Sequence, residues 1–116
     1  MTESLKLTVD EERGDLVVIY TEGYINNQGG EEIANVAYEL IEKGHTTLLL
    51  NLAQTKIVNS IGISILIEII ERMLLIDGKL AFCCLTPTIE KTFNIMGLAQ
   101  YAGMYSDEET AIEALT

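Results

Sequence analysis

Residues 46–78, TTLLLNLAQTKIVNSIGISILIEIIERMLLIDG, decide the fold of this chain. Thr46 to Leu52 holds four leucines in a short run, as a central strand covered on both faces does. Ile57-Val58-Asn59-Ser60-Ile61-Gly62 then reads as the junction where a buried strand hands over to a very apolar helix, from about Ile61 to Asp77, which Gly78 ends. A serine hydroxyl at a helix start faces unpaired backbone N–H groups and the positive end of the helix dipole, so Ser60 suits a cap, a phosphate or an anion.

Outward from this unit, strands and helices alternate without a linker, repeat or low-complexity segment. Lys79 to Leu85 is another apolar strand, and Thr86-Pro87 is an N-cap with proline at the first helical position, opening a short helix through Ile95. Tyr101 to Tyr105 adds a short edge strand, and Ser106 to Leu115 a closing helix capped by Ser106 or Asp107. Upstream, Leu5 to Val9 and Leu16 to Thr21 flank the turn residues Arg13-Gly14-Asp15 and predict an antiparallel hairpin. Asn26-Asn27-Gln28-Gly29-Gly30 reads as a loop before a first amphipathic helix carrying Ile33, Val36, Ala37, Leu40 and Ile41, which Gly44 stops. Strands separated by helices of this length imply right-handed crossovers and a mainly parallel α/β sheet.

The long helix is more apolar than docking on one sheet requires. At about 100° per residue, Ile63, Leu66, Ile67, Ile70 and Leu74 form one face, and Ser64, Glu68, Glu71 and Arg72 form a narrow opposite stripe. Ile65, Ile69, Met73 and Ile76 fall between them and widen the apolar arc to roughly 200°. That flank meets either a neighbouring helix or another protein.

Length and composition fit one globular domain spanning residues 1–116. Seven basic against eighteen acidic residues give a formal net charge of −11, which repels phosphate backbones and anionic lipid surfaces. The expectation is no nucleic acid and no membrane insertion. The acidity either keeps a small domain soluble or favours a basic partner. No basic-then-apolar leader precedes a cleavage site, so a cytoplasmic location is expected. Cys83 and Cys84 are the only cysteines, and on a strand their side chains would point to opposite faces, as reduced core thiols.

Catalytic constellations are missing from the pattern. His45, the sole histidine, follows Lys43-Gly44 in a turn and reads as a solvated side chain, without a partner for a serine or cysteine triad or for a histidine-rich metal site. Gly29-Gly30 lacks the lysine and spacing of a phosphate loop. The carboxylates Glu31-Glu32 and Asp107-Glu108-Glu109 lie near helix starts, where they complement the dipole. The expectation is a binding module with no enzymatic activity and no cofactor.

Four segments in this order resemble the STAS domain of bacterial anti-sigma-factor antagonists: Glu22 to Asn26, Leu50-Asn51-Leu52, Val58 to Gly62, and Thr86 to Phe93 with Gly97-Leu98. The resemblance covers nearly the whole chain. It implies a mixed, mainly parallel sheet of four to five strands with an N-terminal hairpin and about four helices. It also implies a partner, an anti-sigma factor with a kinase-like ATPase fold, which the unphosphorylated domain binds. Phosphorylation at the start of the long helix then breaks the complex, because a phosphate adds about −1.5 to −2 charges within a tight interface.

At that point the sequence departs from the pattern. The family has Asp-Ser-Ser/Thr-Gly with the third position as phosphoacceptor, and here that position is Ile61. The aspartate is replaced by Asn59, and the acidic position after the second strand by Asn26. Ser60 is left as a displaced phosphorylation candidate or as the N-cap of the helix. By resemblance, the partner-binding surface comprises Asn26, Asn59, Ser60, Ile61 and Gly62, extended along the helix by Ile65 and Ile69 as an apolar patch. The reading preferred here is an anti-sigma-factor antagonist, monomeric or weakly dimeric, outside the usual phosphorylation control. The alternative is an accessory subunit of a transport or lipid-trafficking ATPase assembly.

Overall fold

The structure, a computed structural model, describes residues 5–116. Its elements are β1 (Lys6–Arg13), β2 (Leu16–Ile25), α1 (Asn27–Glu42), β3 (Thr47–Val58), α2 (Ser60–Leu75), β4 (Lys79–Cys83), α3 (Pro87–Ile95), a 3₁₀ turn at Leu98–Gln100, β5 (Gly103–Tyr105) and α4 (Glu108–Leu115). The five strands form one sheet in the order β1-β2-β3-β4-β5. Only the first pair is antiparallel, joined by a tight turn in which Gly14 takes φ 73°. The pairs β2–β3, β3–β4 and β4–β5 are parallel. A parallel neighbour must be reached by a crossover, and α1, α2 and α3 supply the three.

The central run of leucines is apolar throughout because helices cover both faces of β3. Leu48, Leu50 and Leu52 join Val17, Ile19 and the buried faces of α1, α2 and α3 in the main core. Leu49 points the other way, with Leu16, Val18, Ala81 and Cys83, under Ala111 of α4. Asn51 interrupts the run without leaving a polar group unpaired. Its Nδ2 donates to Glu108 Oε1 of α4 at 2.9 Å, and its Oδ1 accepts from the backbone N–H of Ala53 at 2.9 Å. The buried hydroxyls of Thr21 and Thr55 hydrogen-bond to each other across β2 and β3. Phe82 of β4 and Phe93 of α3 meet edge to face with centroids 5.1 Å apart, fixing α3 to the sheet.

Several elements differ from the sequence reading. β3 does not stop near Leu52 but continues to Val58, with register shifts against β2 that break the simple alternation of sides. Residues 26–30 are no loop: Asn26 caps α1, and Gly29 and Gly30 lie inside it. Along α2, the flank assigned to a neighbour or a partner is buried at Ile69 and Met73, half-buried at Ile65 and exposed at Ile76, just past the helix end. Ile69 and Met73 are fully inside the core, and Ile65 packs against Gly30 of α1. Leu74, expected on the core face, is exposed instead, because the neighbouring elements leave a cleft beside it.

His45 is not a solvated turn residue. Its ring is mostly covered, with Nε2 3.3 Å from Glu11 Oε1. Cys83 and Cys84 do not face opposite sides, because Cys84 takes φ 63° and turns its side chain back to the cluster that holds Cys83. Both are free thiols, and burial, foremost, raises the pKa of Cys83 well above the usual thiol value.

Candidate functional site

Parallel pairing of β2 with β3 sets Ile25 opposite Val58, so the next residue of each strand, Asn26 and Asn59, leaves the sheet at the same edge. Each asparagine is an N-cap. Asn26 Oδ1 accepts from Gly29 N at 2.9 Å, and Asn59 Oδ1 accepts from Gly62 N at 2.8 Å. The N-termini of α1 and α2 thus stand side by side with their positive dipole ends together. The junction is tied down by the N–H of Asn59, which donates to Ile25 O at 3.1 Å.

Glycine is required three residues after each cap. A Cβ on Gly62 would lie 2.3 Å from Ile25 O, and one on Gly29 would lie 2.7 Å from Tyr24 O. Both helices therefore begin in direct contact with the end of β2. The repeated Asn-x-x-Gly of residues 26–29 and 59–62 is the sequence signal for this arrangement, although local turn chemistry alone reads as a loop in the first place and as a serine cap in the second.

Ser60 is the first residue of α2, not its cap; its carbonyl accepts from Ser64 Oγ at 3.1 Å, and its side chain is exposed. The capping duty expected of its hydroxyl is carried by Asn59, whose amide oxygen reaches the same N–H. Ile61, at the second helical position, is 54% exposed.

The expected docking patch is only partly present. Asn26 and Asn59 are half-buried, Ser60 and Ile61 are exposed, and Ile65 is half-buried against α1. Gly62 is buried against β2, and Ile69 is a core residue at 0% exposure, so neither offers a surface to a partner. The apolar residue that sequence reading missed is Ile57, 55% exposed at the end of β3. Its neighbours suggested a buried strand, and the register shift between Gly23 and Tyr24 turns it outward. Two exposed isoleucines therefore flank Asn59, two residues to either side. Among the described residues, neither cap is a carboxylate and neither first turn carries one, so a docked protein would meet amides, a hydroxyl and apolar side chains at two helix N-termini.

Residues 8–111 match the STAS domain family. The chain belongs to that family. BtrV of Bordetella bronchiseptica, a proposed anti-sigma factor antagonist, is 24% identical over 110 residues, covering 95% of this chain and 94% of BtrV. The Bacillus cell-fate determinant SpoIIAA in its phosphorylated form superposes with a TM-score of 0.77 at 22% identity, over 96% of this STAS domain and all of SpoIIAA (100%). An anti-sigma factor antagonist from Mycobacterium paratuberculosis gives a TM-score of 0.82 at 18% identity, over 96% and 93% of the two chains. The five-stranded sheet with its antiparallel first pair and four helices is the fold of these antagonists. Among the described residues, no helix is long and apolar enough to cross a membrane.

Proposed function

We propose that this STAS domain is an anti-sigma-factor antagonist that docks an anti-sigma factor of kinase-like ATPase fold with the paired starts of α1 and α2. The reading includes no catalytic role and no cofactor for this chain, and places it in the cytoplasm. One observation carries the proposal: Ile61 lies exposed at the start of α2, in the family's phosphoacceptor position, on a junction whose caps are intact. A side chain that cannot be phosphorylated there favours an interface held by apolar contact and outside the usual switch. Likeness to BtrV and to the SpoIIAA fold supports the choice of partner class.

A second reading has a specific observation in its favour. Because Asn59 makes the cap, the exposed Ser60 hydroxyl is not committed to it and is open to a kinase. A phosphate at the first helical position would meet the positive end of α2 and place its charge beside the docking surface.

Both readings are tested by purifying the tagged chain and its Ile61→Asp variant from source cells, identifying the partners and mapping phosphate by mass spectrometry. The proposal expects a kinase-like ATPase with the native chain, its loss with Ile61→Asp, and Ser60 unmodified. Equal recovery with Ile61→Asp removes Ile61 from the interface. Phosphate on Ser60 in the unbound fraction alone establishes the displaced switch, and recovery of transporter subunits moves the protein out of sigma-factor control.

A further inference from the structure

At the opposite end of α2 the chain exposes a second and larger apolar surface. Of the eight large hydrophobic side chains that stand exposed among the described residues, six lie there: Leu74, Leu75, Ile76, Ile95, Met96 and Tyr101. Leu75 is 82% and Ile95 72% exposed. Single exposed leucines are ordinary, but here Leu74, Met96 and Tyr101 line one cleft, and Leu75, Ile76 and Ile95 follow or precede them by one or two residues. The cleft, about 390 Å³, runs between the second half of α2 and the end of α3 with its 3₁₀ turn. Ile67, Ile70, Leu74, Met96, Leu98 and Tyr101 form its apolar walls, and Glu71 is the charged residue in its lining. That volume lies within the range of sites that receive side chains or small ligands.

The electrostatics of the cleft select among occupants. α2 ends at Leu75 and α3 at Ile95, next to the lining residues Leu74 and Met96, so the negative ends of two helix dipoles lie beside the cleft. Glu71 adds a negative charge in the lining, while Asp77 and Lys79, exposed past the end of α2 and outside the lining, offset each other. Arg72, the cation in the last turn of α2, is drawn away, with its guanidinium 4.8 Å over the ring of Tyr38 on α1. Lys91 lies one turn before Ile95 and outside the lining. A second copy of the chain would bring another −11 charges, and an anionic membrane surface would be repelled by the same field. A partner that is apolar on one face and cationic on its flanks fits both features.

We propose that this cleft is a docking groove for a basic amphipathic helix of a partner protein. Apolar anchors at i, i+3 or i+4 and i+7 would enter between α2 and α3, with lysine or arginine beside Glu71 and the helix C-termini. The groove is distinct from the surface around Ile61, since its α2 residues, Ile67 to Leu74, follow Ile61 by six to thirteen residues, about 9–20 Å along the helix at 1.5 Å per residue, and on another side of it.

The test is a ¹⁵N–¹H NMR titration of the full chain with a synthetic amphipathic leucine–lysine helix and with a scrambled peptide of the same composition. The groove predicts shifts confined to residues 67–77 and 93–101 and weaker binding of the scrambled peptide. Leu74→Gln with Met96→Gln, which leaves the charge unchanged at half-exposed sites, should weaken binding at least about tenfold. Glu71→Gln should weaken it a few-fold and flatten its salt dependence, and Ile61→Asp should leave the mapped site unchanged. Equal binding of both peptides, shifts spread over α1 and α4, or indifference to the double variant would overturn the proposal. Self-association of the free chain abolished by the same variant would assign the groove to a second copy instead.

Discussion

Replacing Gly62 with alanine sets two effects of opposite sign against each other. In a helix interior, alanine is better than glycine by about 0.8–1.0 kcal/mol, which alone would stabilise the chain. Against this, the new Cβ would lie 2.3 Å from Ile25 O and 3.0 Å from Ile25 C and Cγ2. The obstacle is backbone: Ile25 ends β2 in register with Val58, and its carbonyl accepts the Asn59 N–H. It cannot rotate aside as a side chain can, so the first turn of α2 must retreat by roughly 0.7 Å to restore even a 3.0 Å approach. Overpacking of this kind costs about 1–3 kcal/mol, and each strained hydrogen bond of the junction about 0.5–1.5 kcal/mol. The balance is a net loss of about 2 kcal/mol. Urea unfolding should show a lower midpoint at unchanged slope, and thermal unfolding a fall of roughly 8 °C. Gly30→Ala is the internal comparison: its Cβ would meet Ile65 Cδ1, the movable end of a side chain, at 2.8 Å and the fixed Ile65 Cβ at a milder 3.2 Å, with no backbone atom among these contacts, so the loss should be smaller. Wild-type or greater stability of Gly62→Ala would refute the close seating of α2 on β2, and with it the placement of Ile61.

Other substitutions separate core, cap and surface. Asn59→Ala should cost about 1 kcal/mol of unfolding free energy, while Asn59→Asp keeps the cap and gains from the helix dipole, so a loss with aspartate equal to that with alanine would contradict the capping role. Ile69→Ala should cost about 2–5 kcal/mol and Ile61→Ala less than about 0.5 kcal/mol in the same urea assay; similar values would deny their core and surface placement. Asp107 accepts the Thr110 N–H at 2.7 Å, which holds its carboxyl below the usual aspartate value. A folded pKa below the unfolded one means that this cap contributes above the ordinary carboxylate range, at about pH 4, and is lost as pH falls through the folded value. The Thr110 amide resonance should titrate with a midpoint below that of an ordinary aspartate, and a midpoint at or above it would contradict the contact.

The elements were largely legible because their signals are local. Four leucines in Thr46–Leu52, the Thr86-Pro87 cap and the Gly14-Asp15 turn each carry their own conformational preference, and the structure has a strand, a helix and a hairpin there. The site was legible in composition and blurred in detail. Ser60 and Ile61 were placed at the start of α2, but the competition for the cap is won by Asn59, one residue earlier, whose amide oxygen meets the N–H of Gly62. Ile69 reads as surface because its helical angle puts it beside the core stripe, and only tertiary packing draws it into the main core.

Periodicity, capping residues and turn chemistry act over a few positions, so the order of strands and helices and the mainly parallel sheet could be read along the chain. Which flank of an apolar helix is covered depends on elements far away in sequence. α1 buries Ile65 in part and Ile69 enters the core, while among the described residues no element closes the cleft beside Leu74, and an isoleucine has the same hydropathy in either setting. Ile57 turns outward through a register shift between two strands, and Gly62 is required by a carbonyl from β2. Contacts between distant segments carry no local periodic signature, and they separate the residues of this STAS domain that hold the fold from those left free to bind.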